Sequence, residues 1–212
     1  MKRVLLALAL CAPLGAFADG AAKKDPFTGG DAAAGATKAA TCAACHGPNG
    51  NSAMPEWPKI AGQSSRYLYE QLKAFKTGAR NNPIMMAQVA PLSDQDLRDL
   101  AAHYTLQKAA PGVASEASIA IAQPLYRAGA AARGLPACAA CHGPTGAGNG
   151  AAAYPHIGGQ HAAYTAARLR AYRDAAADPK LPEGNQKMMA TVAAKLSDAE
   201  IDALASYING LQ

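Results

Sequence analysis

The sequence predicts an all-α protein built from two tandem, related helical units, and three observations carry that prediction. Alanine makes up about a quarter of the 212 residues, a helix-rich composition. Apolar residues recur at helical spacing behind two capping signals, and alternating strand patterns are lacking. The second half of the chain restates the first at offsets of 96 to 104 residues.

In chain order, the first element reads as an export signal over residues 1–18. Met1-Lys2-Arg3 is a cationic start, Val4 to Leu14 an apolar run broken by Pro13, and Ala16-Phe17-Ala18 a small-x-small site for cleavage before Asp19. The run is too short to span a bilayer, though an uncleaved anchor is the alternative reading. Cleavage removes Lys2 and Arg3 and takes the formal charge from +5 to +3. The mature chain is thus expected in a bacterial periplasm, soluble or loosely associated with the inner membrane.

The first unit spans 19–107. Asp31 to His46 and Ser64 to Lys76 read as helices, and Ser93-x-x-Asp96 caps a third whose stripe is Leu97, Leu100, Ala101 and Tyr104. A linker over 108–118 carries Pro111-Gly112 and little apolar mass. The second unit, 119–212, repeats the order. Ile119 to His142 is helical with an interruption near Gly134-Leu135-Pro136, and His161 to Arg173 follows. Ser197-x-x-Glu200, the better capping box, then leads Ile201, Leu204, Ala205 and Ile208. Each terminal helix is expected to pack on the first helix of its own unit.

Four cysteines remain after export, as Cys42-Ala43-Ala44-Cys45-His46 and Cys138-Ala139-Ala140-Cys141-His142. On a helical turn, positions i, i+3 and i+4 share a face. Two thiols so placed can add to the two vinyl groups on one edge of a haem, while the adjacent imidazole reaches the iron. C-x-x-C-H is therefore read as haem c attachment. A zinc site from the four thiolates leaves both histidines without a purpose. A thioredoxin-like pair needs a βαβ context that is lacking. Disulfides closed within C-x-x-C would be strained. Two covalent haem c groups are expected, with His46 and His142 as axial ligands.

Each iron then has a second axial position, which electron carriers commonly close with a methionine thioether. Met85 lies seven residues before Leu92, and Met189 seven before Leu196. Both follow a loop and precede the last helix of their unit. Met86 and Met188 lack the shared register and stand as the alternatives, and packing is the ordinary role of any single methionine.

The matched segments extend further. Trp57-Pro58-Lys59-Ile60-Ala61-Gly62-Gln63 parallels Tyr154-Pro155-His156-Ile157-Gly158-Gly159-Gln160, and Leu92-Ser93-Asp94 parallels Leu196-Ser197-Asp198. With the two C-x-x-C-H-G motifs and the short linker, these segments resemble the dihaem cytochrome c4 family over essentially the whole mature length. The resemblance implies two cytochrome c-like domains, each a small helical bundle around one covalent haem, related by a pseudo-twofold axis with propionates near the interface. It also implies an electron carrier, not an enzyme. A quinol–cytochrome c reductase would stand upstream and a membrane terminal oxidase downstream, docked transiently by a monomer. Arg80 resembles the family's basic residue near the propionates. The second unit has Ala175 to Lys180 there, so Lys180 is the candidate, without the planar guanidinium fork. A solvated surface charge is the plain alternative for Arg80.

Other readings carry less. No Lys/Arg block is present, which argues against nucleic-acid binding, and the glycine-rich stretches lack a phosphate-loop pattern. His103, His156 and His161 have no repeat-matched histidine and are expected in surface or hydrogen-bonding roles. Tyr67 and Tyr164 match as core aromatics whose hydroxyls could reach a propionate. Trp57 and Tyr154 match as packing near haem edges, and Gln63 and Gln160 as holders of loop backbone. The runner-up function is the cytochrome subunit of a periplasmic dehydrogenase, such as a flavoprotein oxidising sulfide, although this chain has no flavin motif. A dihaem peroxidase needs an open iron, which the methionine register argues against.

Overall fold

The computed structural model describes residues 24–181 and 183–212; the export signal read over 1–18 lies outside them. Regular structure among the described residues is helical, with only isolated bridges at Ala130–Leu135 and Asn149–Tyr154. In the first half the helices are α1 (Ala32–Lys38), α2 (Ala40–His46), α3 (Ser65–Thr77), α4 (Pro83–Val89) and α5 (Asp94–Thr105). In the second they are α6 (Glu116–Ala128), α7 (Ala139–His142), α8 (Ala162–Ala175), α9 (Asn185–Ala193) and α10 (Asp198–Asn209). None is long and apolar enough to cross a membrane.

The first long helical stretch is divided in both halves. Ala39 separates α1 from α2. In the second half a 3-10 turn at Ala131–Arg133, closed by the Ala130–Leu135 bridge, separates α6 from α7. Gly134 in the left-handed region and Pro136 end the helical path there, as the sequence indicates. Two further helices, α4 and α9, stand where the sequence reading placed only the end of a loop.

Each terminal helix packs on the first helix of its own half, α5 on α1 and α10 on α6. Gly35 makes the first crossing possible: a Cβ there would lie 2.1 Å from the Asp99 carbonyl oxygen. In the second crossing Tyr126 on α6 is fully buried against Tyr207, Ile201 and Leu204 of α10. Leu68, Leu100 and Tyr104 form the matching core of the first half, continued by Phe75, Val89 and Leu97. These apolar walls leave one side of each bundle open, and there the two halves face each other.

Candidate haem sites

The attachment motifs sit on the short helices α2 and α7, so the spacing argument applies directly: Cys42, Cys45 and His46 share a face, as do Cys138, Cys141 and His142. All four cysteines are unpaired, half-buried thiols. Burial pushes the Cys42 thiol pKa up and that of Cys138 to about 11, so both stay protonated. Among the described residues no group of three or more His, Cys, Asp or Glu could hold a metal ion, which removes the geometry that four-thiolate zinc requires.

Both histidines are buried, and each ring is held by one hydrogen bond. His46 Nδ1 lies 2.9 Å from the Pro58 carbonyl oxygen, and His142 Nδ1 lies 3.0 Å from that of Pro155. A carbonyl can only accept, so Nδ1 carries the proton and Nε2 keeps its lone pair. Burial lowers both imidazole pKa values, with the carbonyl bond opposing, and favours the neutral ring a metal needs.

The loops that carry these carbonyls are pinned just beyond them. Gly50 O accepts from Ile60 N and Ala61 N, and Gly146 O accepts from Ile157 N and Gly158 N. Gly62 N donates to Tyr104 O and Gly159 N to Ile208 O, tying each loop to the end of its terminal helix. The glycine-rich loops after the two motifs thus orient the histidine, and no phosphate is needed to explain them.

One continuous cavity of about 1000 Å³ receives both sites. It lies at the upper end of the range for small-molecule pockets. Cys42, Cys45, Cys138, Cys141, His46 and His142 all line it, together with largely apolar walls. Met85 and Met189 also line it, from α4 and α9. Met86, which like Met85 packs against the cluster of Phe75, Val89 and Leu97, does not reach the cavity, whereas Met188 borders the cavity but is 41% exposed. Neutral thiols, an available imidazole nitrogen, a thioether and an apolar enclosure are the donor set and surroundings that a covalent haem uses, and they occur twice.

Comparison with known proteins agrees with this geometry. The Cytochrome c family model matches residues 32–104 and 126–212, one copy per half. Cytochrome c4 of Pseudomonas aeruginosa is 47% identical over 182 residues, covering 86% of this chain and 89% of the relative. The chain belongs to the dihaem cytochrome c4 family. The crystal structure of reduced recombinant cytochrome c4 from Pseudomonas stutzeri superposes with a TM-score of 0.81 at 45% identity, covering 86% of this chain and all of that one. A further relative, a thiosulfate dehydrogenase electron acceptor of Stutzerimonas stutzeri, is 38% identical, covering 82% of this chain and 80% of its own. As a cytochrome c4 the protein is an electron-transfer protein rather than an enzyme, with two cytochrome c domains and two covalently attached haem c groups.

The cytochrome c4 domains meet through a reciprocal contact. Gln63 donates from Nε2 to His156 O at 2.8 Å and accepts from His156 N at 2.9 Å. Its repeat mate Gln160 does the same with Lys59, at 2.8 and 2.9 Å. Each glutamine therefore holds loop backbone of the opposite domain, pairing like an added strand residue. His161 Nε2 reaches Ser52 across the same interface. A single sequence can mark these residues as matched pairs but cannot show that the match crosses between domains.

Arg80 is not a solvated charge. Its guanidinium donates to Gln71 Oε1 at 2.7 Å and, across the interface, to the Tyr164 hydroxyl at 3.0 Å, and it lies over the Phe75 ring. Burial opposes its charge, but the Tyr164 and Tyr67 hydroxyls outweigh this and raise its pKa. Burial, then the Tyr172 and Tyr164 hydroxyls, push Tyr67 above the ordinary tyrosine range. Lys180 is exposed and does not line the cavity. Arg168, which the sequence reading did not single out, does line it.

Proposed function

We propose that this cytochrome c4 is a periplasmic one-electron shuttle with two six-coordinate sites, His46–Met85 and His142–Met189. The haems supply the redox change, and the chain supplies ligands, enclosure and orientation. The observation that carries the reading is the matched pair of histidines whose Nε2 atoms are freed by Pro58 and Pro155 at one cavity lined by matched methionines. Cys42 and Cys45 hold the first haem and Cys138 and Cys141 the second, with Arg80 facing the carboxylate edge. The shared cavity supports electron exchange between the domains, read as 19–107 and 119–212 around the 108–118 linker.

The proposed route runs from a quinol–cytochrome c reductase, through this monomer, to a membrane terminal oxidase. Partners dock transiently where a haem edge is exposed, and charge sets the encounter rate more than the final contact. A purified haem–copper oxidase should reoxidise the reduced protein rapidly. Carbon monoxide should leave the reduced spectrum unchanged, because both irons are closed. Stoichiometric carbon monoxide binding, or fast peroxide turnover by the half-reduced form, would replace this reading with an enzymatic one.

The relatives named as thiosulfate dehydrogenase electron acceptors support a second route, in which a periplasmic dehydrogenase loads the protein. Reduction by such a dehydrogenase, measured against reduction by the quinol-linked reductase, separates the two donors.

A further inference from the structure

We propose that Arg168 anchors a haem carboxylate in the second domain, the role for which Lys180 is the candidate by sequence. The inference rests on the dihaem reading above. A haem held by its vinyl edge at the cysteines turns its carboxylate edge away from them. Carboxylates entering a largely apolar cavity need cations or hydrogen-bond donors there.

The cationic side chains lining the cavity are Lys59, Arg80 and Arg168. Lys59 Nζ is engaged by the carbonyls of Ala110 and Gly159. Arg80 is engaged by Gln71 and Tyr164 but keeps donors to spare. Arg168 lies over the Tyr172 ring, 4.7 Å from its centroid, and among the described residues no carboxylate pairs with it. Its neighbours on α8 differ: Arg170 pairs with Asp198 and Asp202, and Arg173 with Asp198. Arg168 is thus a half-buried guanidinium at the cavity without a protein anion.

The repeat explains how the charge came to be on α8. At the offset of 97 that aligns Tyr67 with Tyr164 and Phe75 with Tyr172, Gln71 aligns with Arg168 and Arg80 with Ala177. Gln71 and Arg80 are hydrogen-bonded partners. The second domain therefore carries its guanidinium on the other member of the same pair, projecting from the helix instead of from the loop. The exposed Lys180 is left outside.

The test is a spectroelectrochemical titration of the full-length holoprotein and its variants, with the second-domain couple identified as the one Met189→Ala displaces. Losing a cation beside the haem favours the oxidised state. Arg168→Gln should lower the second-domain potential by about threefold in the reduced-to-oxidised ratio, ~28 mV at 59 mV per decade. Lys180→Gln should leave it in place. Arg168→Lys should recover part of the shift, and Ala177→Arg added to Arg168→Gln, which recreates the first domain's Gln–Arg pair, should recover most of it. An unshifted Arg168→Gln protein with two haems and both far-red bands overturns the inference alone, as does a drop seen only in Lys180→Gln. A wild-type mass short of two haems overturns the dihaem reading together with it.

Discussion

Among single residues, the pair Met85 and Met189 has the sharpest consequences. A thioether favours ferrous iron, so Met85→Ala and Met189→Ala should each lower the potential of one haem. Each should also remove about half of the far-red sulfur-to-iron absorption, since two sites contribute. Met86→Ala should leave that band intact, because Met86, unlike Met85, does not line the cavity. Met188 is the closer competitor, since it too borders the cavity; loss of the band in Met188→Ala but not Met189→Ala would reverse the assignment. The seven-residue register picks Met85 and Met189 because α4 and α9 each run into a capped terminal helix at the same distance. Intramolecular distance to a haem is a tertiary property that spacing alone does not contain.

Among the elements, the α1–α5 crossing and the α10 cap determine how firmly each bundle closes. Gly35→Ala places a methyl 2.1 Å from a backbone carbonyl of α5. The two helices must separate, at a cost of about 1–3 kcal/mol, as overpacked cores do. Chemical denaturation should show the loss in the first domain, with the second unaffected. Both capping boxes form, including Ser93–Asp96, whose shorter acid still reaches Ser93 N at 2.8 Å. At α10, Arg133 first and then the Ser197 backbone hold the Glu200 pKa down to about 2. A depressed acid stabilises the fold above its unfolded pKa and loses that contribution as pH falls through the folded value. The α10 contribution should therefore be complete above about pH 4.5 and fade toward pH 2. Ser197→Ala should cost about 1 kcal/mol at neutral pH, and Glu200→Gln should flatten the acid limb; equal acid slopes in wild type and Glu200→Gln would contradict this.

For the whole molecule, the reciprocal glutamines make the interface specific. Removing either side chain leaves two backbone groups of the opposite domain without partners, which costs about 1–3 kcal/mol where water cannot replace them. Because the contact is pseudo-symmetric, Gln63→Ala and Gln160→Ala should destabilise by similar amounts. The double variant should make thermal unfolding of the two domains separate and should expose the 108–118 segment to protease sooner. A strong effect from one substitution and none from the other would show that Lys59, Ser52 and His161 dominate the contact instead. The same interface brings the two cavities into one, so loosening it should also slow electron exchange between the haems.

Attachment chemistry, the order of the longer helices and duplication were all legible in the linear chain, because each rests on short-range geometry. C-x-x-C-H places two attachment thiols and one axial ligand on one helical turn, Ser-x-x-Asp and Ser-x-x-Glu close a cap within one turn, and a repeat needs only self-comparison. The short helices α4 and α9 were not legible, since seven to nine residues with little amphipathic pattern form only when packed on α3 and α8. Nor were the partners of matched residues. Gln63 and Gln160 could be seen to correspond, but only the folded pair of domains shows each reaching the other's backbone. Arg80 reads equally as surface charge or propionate contact, and the sequence offers Lys180 as its counterpart although Arg168 is the residue that lines the cavity, because a guanidinium on a loop and one on a helix can border the same cavity from positions that the repeat offset does not bring into register.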